Sequence, residues 1–212
     1  MSSPAMNSRA HAQQLDTEDP LAPFRERFYR KEGQIYMDGN SLGLCSTDAE
    51  AAILGVLEEW KQRGIGLWTE PDVPLFQYHD YLAEMLAPLI GAETEEVTVH
   101  GNTTLNIHTC IATFYKPDRE RYKILVDSLN FPTDLYAVEG QIKLKGLDPS
   151  ECTKMVESRD GNGLLEADIV EAMTDEVALA LLPSVLYRSG QLLDMETITL
   201  EHEDGETTFE GR

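Results

Sequence analysis

The sequence predicts an α/β fold, a mainly parallel sheet flanked by helices. Three observations predict it. Lys123 to Asp127 (KILVD) is a short run of β-branched and apolar residues without alternation, the pattern of a strand buried on both faces. Val177 to Leu182 (VALALL) reads the same way. Around these runs, segments of helical periodicity alternate with strand-like ones, and that order requires right-handed crossovers between parallel strands.

Taken in order, residues 1–30 read as an N-terminal arm. Met1 to Asp16 is polar and rich in small residues and reads as a disordered lead-in, and Asp19 to Phe28 as a short helix with prolines near its start. Ile35-Tyr36-Met37 is strand-like and ends in the turn-forming run Asp38 to Gly43. Thr47-Asp48 caps a helix to about Lys61, with Ile53, Val56, Leu57 and Trp60 as its apolar stripe. A loop from Gly64 to Trp68 precedes a helix over Pro74–Leu89. Val97 to His100 then reads as a strand and Asn102 to Phe114 as a helix. After the KILVD strand come a helix over Pro132–Leu144, with Asn130 as its cap, and another over Leu164–Met173. Residues 31–199 form one partial large domain in this reading, and residues 200–212 a divergent charged tail without a strand signal.

Of the 212 residues, 17 are Lys or Arg and 38 are Asp or Glu, a formal charge of −21. That balance argues against nucleic acid and anionic membranes as partners, because phosphate contacts need clustered cations. An anion site must then be local, built from backbone N–H groups and hydroxyls. The longest apolar run, Val177–Pro183, is too short to span a bilayer, and no signal peptide is visible, so a cytoplasmic location follows. Cys45, Cys110 and Cys152 are odd in number and widely spaced, which suits buried free thiols and no metal site.

In sheets of this kind, ligands bind beyond the carboxyl ends of the strands. The first predicted strand runs into Gly101-Asn102-Thr103-Thr104, where helix N–H groups and two hydroxyls could meet a phosphate. A plain helix cap would use the same residues. The second runs into Asn130-Phe131-Pro132-Thr133-Asp134: a ring that can stack and a carboxylate that favours a protonated pyridine nitrogen. A helix start with a core phenylalanine is the competing reading. The third ends at Pro183-Ser184, with Arg188 beyond as a candidate anion binder or a solvated turn residue.

These residues resemble kynureninase in order and spacing. The matching segments are Gly39 to Leu44, Trp68, Asn102 to His108, Arg121 to Leu125, Phe131 to Ala137 and Tyr187 to Gln191, covering roughly Gln34–Thr199. The resemblance implies a class V aminotransferase-like, fold-type-I pyridoxal-phosphate enzyme, of which this is part of the large domain. It further implies a homodimer that hydrolyses kynurenine or 3-hydroxykynurenine to anthranilate or 3-hydroxyanthranilate plus alanine, in tryptophan catabolism. By motif, Thr103 and Thr104 contact the cofactor phosphate, Phe131 with Pro132 and Thr133 lies at the ring, and Asp134 is one of two aspartates near the pyridine nitrogen. Ser184 shares its aligned position with Pro183, and Asn40, Ser41 and Trp68 face substrate.

One departure from the family pattern carries its own expectations. The family's Tyr-Lys pair, whose lysine forms the Schiff base, comes further on than Thr199, where this sequence becomes a charged tail, and no lysine occurs after Lys154. The chain is therefore expected to be truncated, to lack kynureninase turnover alone, to hold pyridoxal phosphate weakly and non-covalently, and to fold marginally. Two other readings stand beside this one: a non-catalytic assembly module that pairs with a full-length subunit, and another class V enzyme such as a cysteine desulfurase.

Overall fold

A computed structural model describes residues 6–203. The chain divides into two units, Met1–Val99 and His100–Arg212.

The first unit is helical. α1 (Arg9–Glu18) starts at Ser8, whose hydroxyl accepts the His11 N–H, so a capped helix stands where a disordered lead-in was expected. A 3-10 turn covers Ala22–Arg27, and a single antiparallel bridge joins Phe28 to Ser46. Ile35-Tyr36-Met37 forms no strand. α2 (Thr47–Arg63) is capped by Ser46, one residue earlier than predicted. Its stripe of Ile53, Val56, Leu57 and Trp60 is exposed within this unit. Gly64–Trp68 is a 3-10 turn, and a second one over Leu75–Gln77 leads into α3 (Tyr78–Ile90), which buries Ala83 and Ala87. α3 ends at Gly91, whose φ of 71° is the left-handed conformation that glycine adopts without strain.

Val97 to His100 is not a strand. Val97 donates its N–H back to Thr94, closing a 3-10 turn over Thr94–Glu96, and no ladder partner exists for it among the described residues. Strand propensity without a neighbouring strand does not decide the conformation.

The second unit holds the sheet. α4 (Thr103–Phe114) precedes β1 (Lys123–Asp127), followed by α5 (Pro132–Leu144) and the short α6 (Pro149–Cys152). β2 (Thr153–Val156), α7 (Glu166–Ala172), β3 (Val177–Ala180) and α8 (Met195–Glu203) complete it. The strand order is β2-β1-β3, all parallel, with Ile124 opposite Thr153 on one side and Leu179 on the other. The α/β, parallel-sheet expectation therefore holds. β2 was missed because TKMV is half polar and only its last residue is buried.

β1 is central and its side chains divide between two cores. Ile124 and Val126 pack with Ile111 and Tyr115 near α4 and with Val138 and Ile142 of α5. Leu125 packs with Leu164, Ile169, Leu186, Leu193 and Ile198. Residues on successive strand positions face opposite sides, so a run without alternation fills two cores at once. The tail expected over residues 200–212 is helical as far as Glu203 and otherwise lies outside the described residues.

Candidate cofactor site

Three chain segments of the second unit carry the residues singled out by sequence. The first is the start of α4, which is not a strand end. Asn102 caps it by accepting the Leu105 N–H at 2.9 Å. Thr103 and Thr104 occupy the first turn, where N–H groups have no intrahelical acceptor. No hydrogen bond among the described residues engages either hydroxyl; Thr103 is exposed and Thr104 half-buried. Capping thus falls to Asn102 alone, and both threonines keep their donors free. A Cβ on Gly101 would lie 2.6 Å from Leu105 Cδ2, so glycine lets the loop pass close over that side chain.

The second segment is the exit from β1. Asp127 ends the strand fully buried, and its Oδ1 accepts the Leu129 N–H at 2.9 Å. Its Oδ2 is buried without a partner among the described residues. Burial pushes the Asp127 carboxyl above its ordinary value and the nearby Asp134 charge adds to this, while hydrogen bonds from Leu129 and Asn130 oppose it. Ser128 ties the turn down: its N–H donates to Val156 and its Oγ accepts from Ser158. Asn130 is not the cap of α5 as predicted. Its Oδ1 accepts the adjacent Phe131 N–H at 2.7 Å, fixing the turn before the helix.

Phe131 itself is the N-cap residue of α5, Pro132 opens the helix, and Thr133 and Asp134 fill its first turn. Phe131 is 47% exposed, so its ring is not a core residue. Asp134 is half-buried, with the Thr133 hydroxyl donating to its Oδ1 at 3.3 Å. A carboxylate here also meets the positive end of α5, which by itself explains an acid at this position.

The third segment follows β3. Ser184 is exposed, and its carbonyl accepts the Leu193 N–H at 2.9 Å across a narrow hairpin bridged at Val185 and Leu192. Arg188 is exposed on the hairpin turn. The rings of Tyr187 and Phe131 meet edge-to-face, centroids 5.1 Å apart and planes at 74°. This contact joins the second and third segments and was not foreseen, although both residues lie in the quoted motifs. α4 and α5 are likewise joined, by His108 and the buried Gln141 at 3.0 Å. A groove of about 310 Å³ beside Thr103 runs along Ile107, Cys110 and Phe114 to Leu179 and Leu181.

Asn40, Ser41 and Trp68 belong to the other unit. Asn40 and Ser41 are exposed in a turn where Ser41 donates to the Asp38 carbonyl. Trp68 is tilted against Phe76, centroids 4.9 Å apart. Of the cysteines only Cys152 is buried; Cys45 and Cys110 are exposed, against expectation. Three lysines of the second unit are engaged elsewhere: Lys123 with Glu176 at the opposite end of β1, Lys143 with Glu139, and Lys154 with Thr174. Among the described residues no helix is long and apolar enough to cross a membrane.

No family model matches the chain. It is 56% identical over 196 residues to a kynureninase of Bacillus anthracis, an alignment covering 92% of this chain and 46% of that protein. Kynureninases of Shouchella clausii and Geobacillus thermodenitrificans are 51% and 50% identical, over 91% and 90% of this chain and 45% and 44% of theirs. The chain thus spans slightly under half the length of the curated relatives it matches. Among solved structures it is similar to the cystine C–S lyase C-DES in a mutant form with glycine covalently linked to its pyridoxal-phosphate cofactor. That match has a TM-score of 0.63 at 17% identity and covers 84% of this chain and 45% of the other. The apo cysteine desulfurase of Thermococcus onnurineus NA1 matches with a TM-score of 0.58 at 16% identity, over 96% of this chain and 46% of the other. Identities this low speak to the fold alone.

Proposed function

We propose, from its homology to kynureninases along nine-tenths of its length, that this chain carries the phosphate- and ring-holding part of a pyridoxal-phosphate site. The reaction served is hydrolysis of kynurenine or 3-hydroxykynurenine to alanine and anthranilate or 3-hydroxyanthranilate. The observation that carries the reading is the exit of β1. A strand buried beyond its first residue delivers an exposed aromatic ring, with a half-buried carboxylate one turn later, in a chain 56% identical to a kynureninase. The residues fit the group: free donors at Thr103 and Thr104 suit a phosphate, and an uncovered ring suits a flat heterocycle.

Thr103 and Thr104 would bind the phosphate through N–H and hydroxyl groups, in a chain whose −21 charge gives no general attraction for an anion. Phe131 would cover one face of the ring, and Asp134 would keep a proton on its nitrogen. Bound pyridoxal phosphate supplies the electron sink that weakens bonds at the substrate's α-carbon. Ser184 lies past β3 as a further contact, and Asn40, Ser41 and Trp68 as contacts to substrate. Covalent capture of the cofactor aldehyde needs an amine. In the resemblance that amine comes after the last matching segment, so we assign it to the part of the family's length that this sequence does not span. Homodimer assembly and a cytoplasmic location are proposed on the same homology.

Equilibrium dialysis against pyridoxal 5'-phosphate tests the reading. Saturable binding is expected, weakened about tenfold by Asp134→Ala and by joint replacement of Thr103 and Thr104 with alanine, as for lost charge-assisted hydrogen bonds. Failure to saturate, or indifference to both changes, overturns it.

A further inference from the structure

We infer that Tyr187 is a positioning residue for Phe131: the hairpin after β3 is built to hold the Tyr187 ring in an edge-to-face pair with Phe131, fixing the orientation in which Phe131 meets the cofactor. The inference rests on the cofactor reading above and adds to it a residue that acts through Phe131.

The edge-to-face pairing, 5.1 Å between centroids at 74°, is the geometry that the aromatic quadrupole favours. Both rings are roughly half exposed, Phe131 at 47% and Tyr187 at 47%, so neither is held by a surrounding core. The Phe131 backbone is fixed by Asn130 Oδ1 and by the start of α5, but its side-chain rotation is not. Tyr187 supplies that restraint.

The hairpin carrying Tyr187 is anchored at several points. Leu186, immediately before it, is buried, and its N–H donates to Gln191 at 2.9 Å. Gly190 closes the turn by donating to the Leu186 carbonyl, at a φ of 73° open to glycine. Gln191 then fastens the hairpin to the Leu164 backbone by two hydrogen bonds. An exposed tyrosine on so constrained a turn has its ring direction set by the fold. No hydrogen bond among the described residues engages its hydroxyl, so the ring contact does not depend on it.

The test compares the full chain with Tyr187→Phe and Tyr187→Ala. In NMR spectra of the cofactor-free protein, ring protons of Phe131 should be displaced from free-phenylalanine values in wild type and in Tyr187→Phe, and should return toward them in Tyr187→Ala. In dialysis against pyridoxal 5'-phosphate, Tyr187→Ala should bind roughly three- to tenfold more weakly and Tyr187→Phe like wild type. Thermal midpoints within a few degrees of one another would show that Tyr187→Ala remains folded; if it does not, Tyr187→Leu, which keeps bulk without an aromatic edge, should give the same weakening. Identical Phe131 signals in all variants, or wild-type affinity in Tyr187→Ala, overturns the inference while leaving the cofactor reading intact. Absence of saturable binding by wild type overturns both.

Discussion

Gln191 holds Leu164 by both of its backbone groups: Oε1 accepts the N–H at 2.9 Å and Nε2 donates to the carbonyl at 2.7 Å. Leu164 is 3% exposed, so these groups have no recourse to water. The side chain thus does for residues 164 and 191 what a strand neighbour does in a sheet.

Replacing Gln191 by leucine leaves both Leu164 groups buried and unpaired. An unsatisfied buried donor or acceptor costs about 1–3 kcal/mol, so urea denaturation should show at least 2 kcal/mol of lost stability. Gly163→Ala approaches the same lock from the other side, since its Cβ would lie 2.8 Å from Gln191 Oε1. The two changes should therefore be less than additive in a double-mutant cycle. A loss below about 0.5 kcal/mol for Gln191→Leu would show the lock to be energetically idle.

Adjacent residues of β1 give a second expectation. Ile124 and Leu125 are both fully buried, yet they belong to cores that share no residue. Each alanine substitution should cost about 2–5 kcal/mol by transfer and cavity effects. The double variant should be additive to within about 0.5 kcal/mol. Strong coupling in denaturant titrations would mean that the two faces relax together.

The same strand shows how much the sequence revealed. KILVD was legible because a strand buried on both faces needs an unbroken apolar run, and the helix over Pro132–Leu144 because proline marks its start; VALALL also marks a strand, but β3 is an edge strand, ends at Ala180 and is buried only at Val177. Val97 to His100 misled because β-propensity says nothing about whether a neighbouring strand is present. α1 was missed because its residues are mostly polar with no apolar stripe, and its cap, Ser8, is one hydroxyl among several. The candidate site residues were legible as a motif, each beside a structural explanation that the sequence alone could not set aside. What no linear pattern contains is the Phe131–Tyr187 contact or the bond of Gln191 to Leu164, which join positions 56 and 27 residues apart through the third dimension.

Asp127 should leave a signature in pH. Burial raises its folded-state pKa above the unfolded value of 3.8. A carboxyl shifted in that direction binds its proton more tightly when folded. Its contribution is fully present below the unfolded pKa and is lost as pH rises through the folded one. Asp127→Asn stays neutral while keeping an oxygen for the Leu129 N–H. The variant should therefore gain in Tm relative to wild type as pH increases from about 4 to 7. A difference that stays flat across that window would show that the buried carboxyl titrates as an ordinary one.

Ionic strength should act on the whole chain. With 38 acidic residues against 17 basic ones, repulsion among carboxylates outweighs the ion pairs, whose members are mostly well exposed, as in Arg27–Asp48 and Lys61–Glu58. Exposed pairs contribute little each. Screening shortens from about 10 Å at 0.1 M salt to about 3 Å at 1 M, which removes the repulsion first because it acts over the longer distances. Tm should therefore rise between 0.1 and 1 M KCl. Replacing the exposed Glu151 and Glu157 by lysine should raise the low-salt Tm and flatten the rise. A Tm that falls with salt would mean that paired contacts such as Arg159–Asp168, which joins two guanidinium nitrogens to the two carboxylate oxygens, outweigh the net charge.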